Sequence, residues 1–235
     1  MQVAVISDLH LGPGDASDAF GHSDAAFLRF ADFLERNFEQ VILLGDVWET
    51  MTSACPGDLR GGFRAAQRAH PEIARRFERK TYRYVHGNHD LVAGALGLAP
   101  EELVLDLHGT RFLFTHGHHH DLLFRKARWF VELGVWLGAW LQRLRMSALT
   151  WPFAKLESLA CGPLANSARC TFQRWAIGAA ELRSADVVVT GHTHYATRAE
   201  HGGRLFLNSG SCAGGQFSFL SLDTRAGRYE VNHAW

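Results

Sequence analysis

The 235-residue chain predicts an α/β fold with two sheets, and three observations carry that prediction. Short runs of β-branched and aliphatic residues alternate with helix-length amphipathic segments in the first part of the chain. The last part is a succession of short strands. Five apolar runs end in Asp, Asn or His, often beside a glycine that lets the backbone turn sharply. Strand–helix–strand units followed by a meander suit a sandwich of sheets with helices on its faces.

In order, residues 2–7 (QVAVIS) read as a strand and 23–38 (SDAAFLRFADFLERNF) as a helix with Ser23 or Asp24 at its N-cap. Residues 40–45 (QVILLG) are a second strand. Residues 59–80 are helical with a break at Pro71, and 81–87 (TYRYVHG) are a third strand. Residues 102–117 (ELVLDLHGTRFLFTHG) form a hairpin turning at His108-Gly109-Thr110. The stretch 119–183 reads as a helical insertion. After it come four strand-like runs, DVVVTG, RLFLNSG, FSFLSLD and RYEVNHA.

Composition sets bounds on function. Lys plus Arg equals Asp plus Glu at 24 each, so no global field draws in nucleic acid, which is not an expected partner. Four scattered cysteines (Cys55, Cys161, Cys170 and Cys212) form no disulfide framework and no paired-cysteine zinc site, and suit a reducing compartment. The chain opens directly on a strand with no basic segment or cleavage site, so a cytoplasmic protein of one domain over 1–235 is expected. The unusual feature is 14 histidines, four of them within HGHHH at 116–120.

The strand ends hold the chemistry. VIS leads to Asp8 and His10, ILLG to Asp46, and YVHG to Asn88, His89 and Asp90. FLFT leads to His116 and His118, and VVVTG to His192 and His194. Singly, each is readable as a helix cap, a turn or a solvated loop histidine. Jointly they fit one cleft, because ligands of α/β sheets gather outside the carboxyl ends of strands. Mixed imidazole and oxygen donors suit Mn, Fe or Zn better than Mg or Ca.

Asp8-x-His10, Gly45-Asp46, Gly87-Asn88-His89-Asp90, His116 and Gly191-His192-x-His194 together resemble the calcineurin-like metallophosphoesterases. The resemblance implies a β-sandwich flanked by helices, with a helical insertion before the last motif and two divalent transition-metal ions, manganese first, with iron or zinc as alternatives. It implies one metal on Asp8, His10 and His194, a second on Asn88, His116 and His192, and Asp46 bridging both. Two metals roughly 3.5–4 Å apart clamp a phosphate and bring the pKa of a shared water toward neutrality, a nucleophile for in-line attack on phosphorus. His89 is then the candidate donor to the leaving oxygen, with Asp90 either orienting it or capping the helix that follows. His118 is read as part of a phosphate-binding surface or as a solvated loop residue. Glu49 is read as a surface carboxylate or as a support reaching the ligands from outside.

Within the insertion, Trp129, Leu133, Trp136, Leu137, Trp140, Leu141 and Leu144 share one helical stripe, followed by Arg143 and Arg145. Three readings stay open: a stripe buried on the core, an apolar cap beside the metals, or peripheral membrane contact through 129–151 at the inner membrane face. Polar interruptions exclude a bilayer span. ISDLHL, FLRF, GDVWE, VLDLHGTRFLFTHG and ANSARCTFQRW are similar in order and spacing to the UDP-2,3-diacylglucosamine hydrolases of lipid A biosynthesis. That resemblance implies a lipid-linked nucleotide as the phosphate-ester substrate, cleavage of a phosphodiester or pyrophosphate bond, and substrate contacts at Asn166, Ser167 and Arg174. The rival readings are a nucleotide or nucleic-acid phosphodiesterase, a small-molecule phosphomonoesterase, and a non-catalytic binding scaffold of the same fold.

Overall fold

A computed structural model describes residues 1–146 and 170–235. The first sheet is built from β1 (Gln2–Ile6), β2 (Gln40–Leu44), β3 (Tyr82–Val85), β9 (Phe219–Asp223) and β10 (Arg228–Asn232), in the order β10-β9-β1-β2-β3. The second takes β4 (Glu102–Leu107), β5 (Thr110–Thr115), β6 (Val187–Thr190), β7 (Thr197–His201) and β8 (Arg204–Asn208), in the order β4-β5-β6-β8-β7. The α/β sandwich expected from the alternation is the fold observed. Helices α1 (Asp24–Asn37), α2 (Leu59–Ala69) and α3 (Pro71–Phe77) cover the first sheet, and α6 (Thr171–Leu182) covers the second. A short α4 (Leu91–Ala95) follows β3, and a long α5 (Leu122–Arg143) follows a 3₁₀ turn at His118–His120.

Strand pleating sorts the apolar runs into layers, since successive side chains point to opposite faces. In β1, Val3 and Val5 enter the core between the sheets, whereas Ala4 and Ile6 face the helices. Ile42 and Leu44 of β2 alternate in the same way with Val41 and Leu43. In the second sheet Phe112, Phe114, Val187 and Val189 face inward, and Leu113 and Val188 pack on Phe172, Ala176 and Ala180 of α6. This two-sided burial explains why the central strands are continuous apolar runs. Each fully buried Phe or Leu contributes about 1.5–3 kcal/mol, and Phe27, Phe30 and Leu34 lock α1 onto the first sheet.

Local signals held at most boundaries. Ser23 caps α1, its side chain accepting from the Ala26 amide at 3.2 Å. Pro71 opens α3, its missing amide costing nothing at a helix start. His108 and Gly109 both take positive φ, the two-residue turn that matches strand twist. One strand escaped the sequence reading: β7 (TRAEH) pairs antiparallel with β8 at the sheet edge, and its polar alternation carried no apolar run to announce it.

Candidate metal centre

Parallel pairing of β1 with β2, of β2 with β3, and of β5 with β6 sends five strand ends toward one place. There Asp8, His10 and His194 offer ligand atoms within 4.8 Å of one another, and so do Asp46, His116 and His192. Asp46 stands between the groups: its Oδ2 lies 3.1 Å from His116 Nε2 and 4.0 Å from His10 Nε2. Asp8 Oδ1 lies 3.2 Å from His194 Nε2 and 3.9 Å from His116 Nε2. Asp8, His10, Asp46, His192 and His194 all take positive φ, a conformation that costs non-glycine residues energy and that clusters at functional sites. Gly45, at φ +84°, admits the approach, because a Cβ there would overlap the His116 ring.

The hydrogen bonds aim the free atoms inward. His116 Nδ1 donates to the Leu44 carbonyl at 2.9 Å, and His10 Nδ1 lies 3.3 Å from Glu49 Oε2. Each leaves Nε2 facing the centre, the arrangement in which a metal-ligating histidine is held by its other nitrogen. Among the described residues, His10 Nε2, His116 Nε2 and Asn88 Oδ1 are buried without a hydrogen bond of good geometry. Buried polar atoms are normally paired, because an unpaired one costs roughly 1–3 kcal/mol. Two such nitrogens, His10 Nε2 and His116 Nε2, lie beside the buried Asp46 carboxylate and fit a divalent cation there.

Charge points the same way. Burial disfavours ionised Asp46, yet His116 and His89 outweigh it and hold the carboxyl well below the usual range. For His116, burial opposes the proton but Asp46 and then Asp8 draw its pKa up to about 9. His192 moves the other way, down to about 4, through burial and the neighbouring His116.

The surroundings correct three expectations from sequence. Glu49 is no surface carboxylate; it is 5% exposed, and its Oε2 lies 2.6 Å from His89 Nδ1 as well as 3.3 Å from His10 Nδ1. Against the cost of burial, Glu49 and Asp46 raise His89 to about 10. Asp90 does not orient His89, and it does not cap α4 with its side chain. Its Oδ2 accepts from Val47 N at 2.7 Å and Tyr84 Oη at 2.5 Å, and its Oδ1 from Gly87 N at 2.5 Å. It ties the turns after β2 and β3 together beneath the site. His118 is no solvated loop residue: it is 3% exposed, packed beside His116 and His86, with Nδ1 unpaired. Burial and then His116 push its pKa down to about 2, so it is neutral.

Other expected residues lie apart or out of view. Arg174 is exposed on α6, near the centre only through Phe172, whose ring is 6.2 Å from that of His192. Asn166 and Ser167 lie outside the described residues. A third cation-capable trio, His10, Glu49 and His89, shares His10 with the first. Sequence reasoning left Glu49 undecided, although its place three residues after Asp46 on the same turn was visible.

A sandwich of this layering with a two-lobed His/Asp cluster at the strand ends defines a phosphoesterase-type domain. The profile of the calcineurin-like phosphoesterase superfamily domain matches residues 1–132, more than half of the chain, and the protein belongs to that superfamily. The UDP-2,3-diacylglucosamine hydrolase of Shigella dysenteriae serotype 1 (strain Sd197) is 27% identical over 215 residues, covering 83% of this chain and 82% of that one. The protein of the same name from Serratia proteamaculans (strain 568) is 30% identical over 125 residues, which span 50% of this chain and 48% of its own length. An archaeal phosphodiesterase of known structure aligns over 99% of both chains with a TM-score of 0.50 at 18% identity, a likeness of fold.

Proposed function

We propose that the protein is a metal-dependent phosphohydrolase that cleaves a phosphodiester or pyrophosphate bond, with a UDP-2,3-diacylglucosamine-type lipid-nucleotide as its substrate class. The observation that carries the hydrolase reading is the approach of buried His10 Nε2 and His116 Nε2, neither with a hydrogen bond of good geometry, to the Asp46 carboxylate. Asp8, His10 and His194 would hold one ion, Asn88, His116 and His192 the other, with Asp46 serving both. When bound, such ions polarise phosphoryl oxygens and acidify water at neutral pH. Imidazole-rich sites favour manganese, iron or zinc.

The chain's own residues supply the rest. Asp46 accepts from the His89 amide at 2.8 Å, which fixes the start of the His89 turn against the ligand. Glu49 holds His89 Nδ1, so the proton on Nε2 is the one offered to the leaving oxygen. A groove of about 360 Å³ is lined by Asp58, Arg60, Leu91, Val92 and Arg128, two cations, one anion and apolar side chains. Helix α5 adds exposed Trp129, Phe130, Leu133, Leu137 and Trp140, an apolar face for acyl chains or for a membrane surface. No helix among the described residues is long and apolar enough to cross a membrane. The two curated relatives bear the name of the substrate proposed.

The test is metal analysis of the purified protein together with a hydrolysis screen. About two transition-metal ions per chain are expected. Turnover of UDP-2,3-diacylglucosamine should exceed that of bis-p-nitrophenyl phosphate, which should in turn exceed that of p-nitrophenyl phosphate in kcat/KM. A clear preference for the monoester would remove the lipid-nucleotide reading and leave the metal site standing.

A further inference from the structure

The turn that begins at Asp46 continues into a buried segment, Glu49–Ser53, and every residue of it is buried. Its upstream half grips His89. Glu49 Oε2 holds the ring, Glu49 Oε1 accepts from the Met51 amide at 3.0 Å, and the Thr50 amide and hydroxyl both donate to the His89 carbonyl. Its downstream half is gripped by α5. Trp136 Nε1 donates to the Ser53 carbonyl at 3.1 Å, and Arg143 Nη2 donates to the Thr52 carbonyl at 2.5 Å. Arg143 Nε also reaches Asp15 Oδ2 at 2.7 Å, in the loop that leaves His10. On the far side, Gly62 of α2 meets the Thr50 carbonyl so closely that a Cβ would overlap it.

Residues 49–53 thus form a strap clamped between α2 and α5, with its own grips on His89, through Glu49 and Thr50, at one end. The segment has no regular hydrogen-bonded ladder of its own, so its carbonyls must be satisfied from outside, and α5 satisfies two of them. A strap so placed transmits the seating of α5 to the His89 ring through three residues. Rotation of that ring by a fraction of an ångström matters, because proton donation needs heavy atoms at hydrogen-bond distance in the reacting complex.

We infer that Trp136 and Arg143 are positioning residues for His89: the docking of α5 on the Glu49–Ser53 strap sets the proton donor of the reaction. The inference rests on the role proposed above for His89. It also divides α5 by task, since Trp136, Ala139 and Arg143 face the body, whereas Trp129, Leu133, Leu137 and Trp140 do not.

The experiment uses the metal-loaded full chain and two substrates, the p-nitrophenyl and phenyl esters of thymidine 5′-monophosphate. Trp136→Phe and Arg143→Met should keep the metal content and KM of the parent and lose kcat by roughly ten- to a hundredfold on the phenyl ester. The loss should be several-fold smaller on the p-nitrophenyl ester, whose leaving group needs little protonation. Arg143→Lys should restore part of the rate, because it keeps a donor to Thr52. In a His89→Ala background the same two substitutions should add no further loss, the coupling expected of residues acting through one group. Equal losses on both esters, or undiminished losses without His89, would overturn the inference while sparing the phosphohydrolase reading. If His89→Ala itself leaves kcat unchanged, the proposed role of His89 fails, and the inference fails with it.

Discussion

The candidate metal centre and helix α5 break the same rule in opposite directions. At the strand ends Asp8, Asp46, His10 and His116 are buried, and His10 Nε2, His116 Nε2 and Asn88 Oδ1 lack a hydrogen bond of good geometry; on α5, Trp129 and Phe130 are 61% and 59% exposed. Interiors ordinarily exclude unpaired polar atoms, and surfaces ordinarily lack contiguous large apolar groups. Each inversion marks what the region is complementary to: positive charge in the first, apolar matter in the second. The regions differ in how firmly they are held. The centre is fixed by five strand ends and by backbone bonds such as Asp8 N to Gly45 O and His10 N to Asp46 O, both 3.0 Å. The described length of α5 rests mainly on one face and contains a non-helical residue at Ala127.

The comparison breaks most sharply at Asp46. Asp46→Asn removes the carboxylate proposed to serve both ions, so both metal equivalents should fall, and turnover should drop by about three orders of magnitude or more. Elemental analysis of the purified variant checks this, and an unchanged content of two ions would show that Asp46 serves neither half as assigned. Glu49→Gln comes next. It keeps the shape but weakens the hold on His89, and should cost about 10²–10⁴ in turnover at near-normal metal content. Loss of both ions in that variant would instead make Glu49 a ligand.

How much of this the amino-acid sequence disclosed depends on what each residue's role requires. Asp8, His10, Asp46, His116, His192 and His194 could be placed at strand ends because apolar runs locate those ends, and the structure brings their ligand atoms together in two groups; their division into ligand sets with Asn88 came from the family resemblance. Glu49 was not, because its burial is created by parts remote in the chain: His89 from the next strand end and α5 closing over the segment beyond it. Asp90 was misread because an acid just before a helix has a local explanation, whereas its actual partners, Val47, Tyr84 and Gly87, belong to two different turns. The stripe on α5 was legible as a stripe but not in its orientation. Trp136 was grouped with Trp140, yet its Nε1 docks on Ser53, and the face toward the body is turned by roughly one residue's 100° from the apolar one. Hydrophobic periodicity reports which side chains share a face and is silent on which face packs, when a polar contact such as Arg143 to Asp15 does the docking.

A polar cluster that is fully paired sharpens the contrast with the unpaired one. His70 bridges Asp24 at 2.6 Å and Asp18 at 3.2 Å, joining the α2–α3 junction to the N-terminus of α1 and to the loop after His10, with the Phe20 ring against it. Burial lowers its pKa, but hydrogen bonds to Asp18 and Asp24 outweigh that, and the net shift is upward. Asp18 is shifted downward, as His70 and backbone amides outweigh its burial. A raised histidine stabilises fully below its unfolded value of 6.5 and loses that contribution as pH rises through the folded value; a lowered aspartate contributes above 3.8 and loses it in acid. His70→Gln should therefore destabilise by about 1–3 kcal/mol between those limits, and by less once the pH has risen through the raised His70 value. Melting curves at pH 5.5 and 9 test the sign, and an equal deficit at both would mean that packing, not charge, is what His70 contributes.

The smallest effect on the folded protein should come from the exposed face of α5. Trp129→Ser with Trp140→Ser removes two large side chains that the described structure leaves about half or more in solvent, so the melting temperature should hardly move, since exposed substitutions usually fall within about 0.5 kcal/mol. Hydrolysis of bis-p-nitrophenyl phosphate should also persist, because neither residue touches the centre or the strap that holds His89. What should change is selectivity. Each buried methylene is worth about 0.8 kcal/mol, so an acyl chain resting on this face gains tenfold in affinity for every two methylenes it buries. The double variant should therefore lose kcat/KM for UDP-2,3-diacylglucosamine while keeping it for the small diester. Binding to liposomes, measured in parallel by sedimentation, separates the two apolar occupants: a loss confined to vesicle binding would assign the face to a membrane surface, and a loss confined to the acylated substrate would assign it to the acyl chain. A lowered melting temperature with both hydrolytic activities falling together would place the face in the core after all, and the opposition between the two regions would collapse into one ordinary rule of burial.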